Sequence, residues 1–98
     1  MTDEDAPIEI EINGVLDLHG FAPSDLRTLI PDYLEECSRR GIYAVRLVHG
    51  KGIGAIRRSV HGLLDRSLLV AEYALAGGDR GGWGATVVTL RPRVADDE

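Results

Sequence analysis

The chain carries one cysteine, Cys37, among 98 residues. A lone thiol forms neither an internal disulfide nor a zinc cluster, so a disulfide-stapled scaffold is excluded and a reduced, cytosolic setting is the expectation. Long apolar runs are missing too. None approaches the roughly 20 residues needed to cross a bilayer, and no membrane role is expected. The opening "MTDEDAPIEIEI" lacks the basic start and apolar core of a secretory signal. Internal repeats are absent, and low complexity is confined to the tails.

What is present fits one small globular domain. Hydrophobic residues make up 44% of the chain, ordinary for a folded rather than a disordered sequence. The net charge of −5 is unevenly spread. Eight of the 16 acids sit at the ends, as Asp3, Glu4, Asp5, Glu9 and Glu11, then Asp96, Asp97 and Glu98. All 11 Lys and Arg residues lie between 13 and 95 with the other eight acids, which leaves that stretch at +3. Overall acidity argues against a nucleic-acid partner, and the positive inner stretch weakens the objection. The tails serve solubility, or compete with phosphates for a basic face. The expected division is an acidic tail and edge arm over 1–14, a folded domain over 15–92 and an acidic tail over 93–98.

Hydrophobic periodicity supplies the elements. "PIEIEI" alternates apolar and acidic residues, as an edge strand or surface arm would. Asn13-Gly14 marks a turn, and "VLDLHG" reads as a strand with Leu16 and Leu18 on the core face. From Pro23 to Arg40, the spacing of Leu26, Leu29, Ile30, Tyr33, Leu34 and Cys37 predicts an amphipathic helix, kinked near 27–31 by Pro31 and stopped by Gly41. "YAVRLVHG" is the next strand. A second helix runs from Gly52 to about Ser67 with Ile53, Ile56, Val60, Leu63 and Leu64 on its stripe. "LLVAEYALA" and "ATVVTLRP" are strands flanking the loop "GGDRGGWG". The order strand, helix, strand, helix, strand, strand predicts an α/β fold, a two-layer α/β sandwich with a mixed four-stranded sheet and two helices. Crossover helices join parallel strands, and the last pair is expected as an antiparallel hairpin.

In open α/β sheets, ligands sit beyond the carboxyl ends of parallel strands. "DLHG" ends the first strand and "VHG" the second, so parallel pairing would bring Asp17, His19 and His49 to one edge. An aspartate can hold a histidine's tautomer for acid–base work; a structural role for either histidine is the competing reading. "HGKGIG" leads into the second helix, whose first N–H groups lack helical partners and favour an anion. Gly50 and Gly52 would let a phosphate approach, Lys51 would add charge, and Arg57 and Arg58 would meet neighbouring phosphates. A tight turn with solvated basic residues explains the same segment. The span from Gly50 to Gly54 is too short for a Walker motif, so nucleotide hydrolysis is not expected. Trp83, the single tryptophan, either stacks on a base or covers the core edge. His61 is expected on the helix surface. Asp17, His19 and His49 have no recognised zinc spacing.

Together, "LDLHG" at 16–20, "HGKG" at 49–52 and "GGWGATVVTL" at 81–90 resemble the three signature stretches of the small MutS-related (Smr) domain. The resemblance covers about residues 15–92. It implies a compact α/β sandwich that binds nucleic acid, with endonuclease activity in many members: some nick DNA, and others cleave messenger RNA on stalled ribosomes. It ties cleavage to Asp17 and His19, and maps the second motif onto Gly50, Lys51 and Gly52 and the third onto Gly81, Gly82 and Gly84. No ATPase, clamp or mismatch-reading region accompanies these motifs, so a stand-alone copy is expected, and Pro31 departs from the family pattern. The expected function is a nucleic-acid-binding endonuclease in which His19, oriented by Asp17, activates the attacking oxygen and His49 protonates the leaving one. Cleavage is expected to be either metal-independent or assisted by a divalent ion such as Mg or Mn, the one candidate cofactor. The alternatives are a non-catalytic module for nucleic acid or the ribosome, and a protein–protein adaptor using the acidic tails.

Overall fold

A computed structural model describes residues 10–50, 54–76 and 84–92. Four strands, β1 (Val15–Asp17), β2 (Ala44–Val48), β3 (Val70–Leu75) and β4 (Ala85–Leu90), form one sheet in the order β1-β2-β4-β3. β1 pairs with β2 in parallel, while β4 lies antiparallel to both β2 and β3. Helix α1 (Leu26–Arg39) links β1 to β2, and α2 (Gly54–Asp65) links β2 to β3. The expected mixed sheet with two helices is therefore what forms, and β3 and β4 are antiparallel neighbours as expected.

The helices cover one face of the sheet. Along β1 and its continuation, Leu16 and Leu18 are buried while Val15, Asp17 and His19 are exposed. β2 buries Val45 and Leu47, and β4 buries Thr86, Val88 and Leu90 on the same side. These residues meet Leu26, Ile30, Tyr33, Leu34 and Cys37 of α1, with Val60 and Leu64 of α2, in one cluster. Val15 and Val87 lie exposed on the opposite face, so the described residues form two layers, helices on one side of the sheet. Burial pushes the Cys37 thiol up, so it stays protonated and inert.

Local chemistry explains the element ends. A single 3-10 turn over Pro23–Asp25 precedes α1, with proline where a missing N–H costs nothing. Pro31 stands on the exposed side of α1, where the helix runs through it, so the expected break is confined to the bond Arg27 would have received. At the C-terminus Gly41 takes φ +77°, with Ile42 N–H on Cys37 O at 2.9 Å and Gly41 N–H on Ser38 O at 3.2 Å. That Schellman pattern turns the chain into β2. Residues 10–12 form an arm, not a strand; Ile10 and Ile12 pack against the core.

The turn at Asn13-Gly14 fixes where β1 begins. Asn13 Oδ1 accepts the Val15 N–H at 2.9 Å, and the buried Tyr33 hydroxyl accepts the Gly14 N–H at 3.0 Å. Replacing Tyr33 with Phe orphans that donor. Tyr33→Phe is expected to cost about 1–2 kcal/mol, read as a fall in Tm of roughly 5–10 °C with an unchanged far-UV spectrum.

Candidate functional site

Parallel pairing sets Asp17 beside Val48, so the segments after β1 and β2 leave the sheet at one edge. The start of β4 reaches the same edge, with Ala85 opposite Val48. Gly84 ties the segments together, because its carbonyl accepts the N–H groups of both His49 (2.9 Å) and Gly50 (2.8 Å). The described parts of all three glycine-bearing stretches thus meet at one end of the sheet.

Asp17 lies on the bare face, and the chain turns immediately after Leu18, whose carbonyl accepts the Phe21 N–H at 3.1 Å. Asp17 Oδ1 accepts the His19 backbone N–H at 2.9 Å and its ring Nδ1 at 2.5 Å. A carboxylate only accepts, so Nδ1 carries the hydrogen, and in the neutral ring Nε2 keeps its lone pair. Both side chains are more than 60% exposed. The His19 backbone N–H, then its ring N–H and charge, hold the Asp17 carboxyl below its ordinary value against slight desolvation. Asp17 is thereby an ionised orienting group for an imidazole open to solvent.

Gly50 supplies the floor beneath that imidazole. Its φ is +85°, a conformation that disfavours a side chain, and a β-carbon there would stand 2.9 Å from His19 Nε2. The glycine is required twice, by backbone geometry and by the close approach of the ring.

His49 departs from the expected convergence. It follows the parity of Val45 and Leu47, so its ring turns into the core and is only 8% exposed. Its Nε2 is 2.9 Å from Thr86 Oγ1, and its Nδ1 is 3.0 Å from the Gly50 carbonyl. The two strands end side by side as expected, but the His49 ring does not join Asp17 and His19. His61 departs in the opposite direction. Expected on the surface, it is half-buried, with Nε2 also 2.9 Å from Thr86 Oγ1 and its ring 4.7 Å from that of Tyr73. The sequence carried a signal for this, since His61 adjoins Val60 and precedes Leu64 by three positions on the buried stripe. Burial first, then the charges of His49 and Arg57, lower the His61 pKa below 6.5 against the pull of Asp65.

Positive charge gathers at the start of α2. A β-carbon at Gly54 would stand 3.2 Å from Arg58 Nη1 and 3.4 Å from Arg57 Nη2, so both guanidinium groups fold back over the first turn. Arg39 and Arg40 are instead committed to Glu35 and Glu36 along α1. On the other side of Asp17 an open groove has apolar walls, including Phe21 and Leu29, and an acidic rim of Asp17, Asp25, Asp32 and Glu36. Among the described residues the groove side of Asp17 is therefore acidic and the start of α2 basic. Lys51, Gly52, Gly81, Gly82 and Trp83 lie outside the described residues. Among the described residues, no three His, Cys, Asp or Glu side chains gather to hold a metal ion, and no helix is long and apolar enough to cross a membrane.

Two outcomes follow from this geometry. The unfolded chain protonates His61 at its ordinary value and the folded chain only at lower pH. Stability should therefore be complete above about pH 7 and decline as pH falls through 6.5, with the His61 ring resonances in NMR titrating below 6.5. Gly50→Ala should lose about 1–2 kcal/mol for its left-handed backbone and displace the His19 ring, visible as shifted imidazole resonances.

The Smr domain family model matches residues 16–91. The endonuclease MutS2 of Agathobacter rectalis is 35% identical over 82 residues, and that of Thermus thermophilus 39% over 77. These matches take in 84% and 79% of the chain, which spans about a tenth of the length of the curated relatives. The crystal structure of the Smr domain of Thermus thermophilus MutS2 superposes with a TM-score of 0.76 at 38% identity, covering 82% of this chain and 100% of that one. YdaL, a stand-alone small MutS-related protein from Escherichia coli, does so at 0.71 and 28% identity, covering 80% of this chain and 64% of its own. Motifs, sheet order and these likenesses agree: the chain belongs to the Smr domain family.

Proposed function

We propose that the chain is a nucleic-acid-binding endonuclease that uses His19 as general base. The observation that carries this reading is the Asp17–His19 pair: Nδ1 is held by a carboxylate, the imidazole is exposed, and Nε2 lies against Gly50 with no hydrogen-bond partner among the described residues. The similarity to proteins named endonuclease MutS2 supports the reaction class. A backbone phosphate docks at the glycine-bearing segment 50–54 that leads to α2, with Arg57 and Arg58 on neighbouring phosphates and Lys51 adding charge.

His19 Nε2 takes a proton from the attacking oxygen, which is the ribose 2′-hydroxyl in RNA or water in DNA. That oxygen bonds to phosphorus, the phosphorus–leaving-oxygen bond breaks, and the leaving oxygen takes a proton from solvent. His49, with its ring turned into the core, supports the turn and is not the acid in this scheme. The third motif, with Gly81, Gly82 and Trp83, is assigned to substrate binding, Trp83 by stacking on a base. RNA held on a ribosome would present the same phosphates.

The test is a side-by-side cleavage assay on labelled RNA and on plasmid DNA, with added Mg or Mn and with chelator. His19→Ala and Asp17→Asn are expected to lower the rate on the order of 10²–10⁴-fold while binding persists; full activity in both variants overturns the mechanism. Binding without cleavage under every condition selects the non-catalytic module instead. Arg58→Ala should weaken polynucleotide binding and flatten the slope of log K against log salt by about 0.7–0.9.

A further inference from the structure

We infer that His61, Thr86 and His49 form a hydrogen-bond relay of fixed direction, centred on the buried Thr86 hydroxyl, that ends on the Gly50 carbonyl, and that these three are positioning residues for the His19 site. The positioning role rests on the endonuclease reading above; the relay itself does not.

Thr86 is fully buried on the helix-covered face of β4, and its one hydroxyl stands 2.9 Å from Nε2 of both histidines. A hydroxyl has one hydrogen, so it donates to one ring and must accept from the other. The Gly50 carbonyl settles which. It only accepts, so His49 Nδ1, 3.0 Å away, carries the hydrogen. In the neutral ring Nε2 is then bare and takes the Thr86 hydrogen, and Thr86 Oγ1 accepts from His61 Nε2–H. Among neutral rings, no other placement of hydrogens satisfies all three contacts. Because His61 donates through Nε2 whether neutral or charged, the direction survives its titration.

The surroundings hold both ends. Tyr73 lies against the His61 ring and donates its hydroxyl to Asp65 Oδ1 at 2.6 Å. At the far end, the Gly50 N–H is taken by Gly84 O and the Gly50 carbonyl by His49, so both peptide groups of this residue are fixed. The His19 imidazole packs on the same residue. A chain of contacts thus runs from α2 through β4 and β2 to the proposed base. Burying the His49 imidazole and the Thr86 hydroxyl is costly unless each is satisfied, and the relay gives both His49 nitrogens and the Thr86 hydroxyl a partner.

The test combines tautomers with activity. In the intact chain, ¹⁵N-resolved imidazole spectra above pH 7 should show His49 as the Nδ1–H form and His61 as the Nε2–H form. Thr86→Val, equal in shape but without the hydroxyl, should mix both forms and shift the Gly50 amide and His19 ring signals; Thr86→Ser should restore them. On labelled RNA and plasmid DNA, Thr86→Val should lower kcat on the order of tenfold to a hundredfold at unchanged affinity for polyuridylate, again with rescue by Thr86→Ser. If Thr86→Val fails to fold, His61→Leu against His61→Gln makes the same comparison, since the Gln amide keeps the donor. Finding His49 as Nε2–H, or His19 and Gly50 signals unmoved in the folded variants, overturns the relay. Intact tautomers and coupled shifts in a chain that never cleaves would leave the relay standing and remove only its catalytic purpose.

Discussion

The parallel pairing of β1 with β2 is the constraint on which the site depends. Asp17 sits opposite Val48, so two turns leave the sheet within one strand spacing of each other. A one-residue slip would send Leu16 and Leu18 to the bare face and turn Asp17 inward. Burial of those two leucines therefore fixes the carboxylate outside as firmly as it fixes the core inside. The Gly84 carbonyl then draws the second turn to the start of β4, with two N–H groups on one oxygen.

Charge is distributed around that edge with opposite signs on its two flanks. Arg57 and Arg58 fold over the α2 start, where the helix dipole adds to their field. The groove beyond Asp17 is rimmed by carboxylates. Among the described residues, a polyanion laid across this edge would meet positive charge on one flank and negative charge on the other. The net charge of the chain conceals this asymmetry, because half of the acids lie in the first 11 and last three residues.

Much of this could be read in the sequence where a single periodicity decided the matter. The spacing of Leu26, Ile30, Tyr33, Leu34 and Cys37 defines the buried face of α1, and the alternation in "VLDLHG" places Asp17 and His19 outside. Harder to read was anything that depended on pairing between distant strands. His49 was legible as a strand-end histidine, yet its inward turn follows from extending the parity of Val45 and Leu47 by one step past the strand. Thr86 carried no signal of its own, since a threonine in a strand is commonplace; it matters because two histidines, 37 and 25 residues away, converge on it. The role of Gly50 was half-visible, its flexibility in the sequence and its contact with His19 only in three dimensions.

The position of β4 has a consequence for how the molecule comes into being. It is the last of the four strands among the described residues, yet it occupies an inner place between β2 and β3. As the ribosome releases the chain, β2 and β3 emerge before the strand that separates them in the finished sheet. The sheet closes only once residues 84–90 are free, and Gly84 and Thr86 arrive in that same stretch. Nascent chains shorter than this have neither a complete sheet nor an assembled edge, so folding and site assembly become one late event.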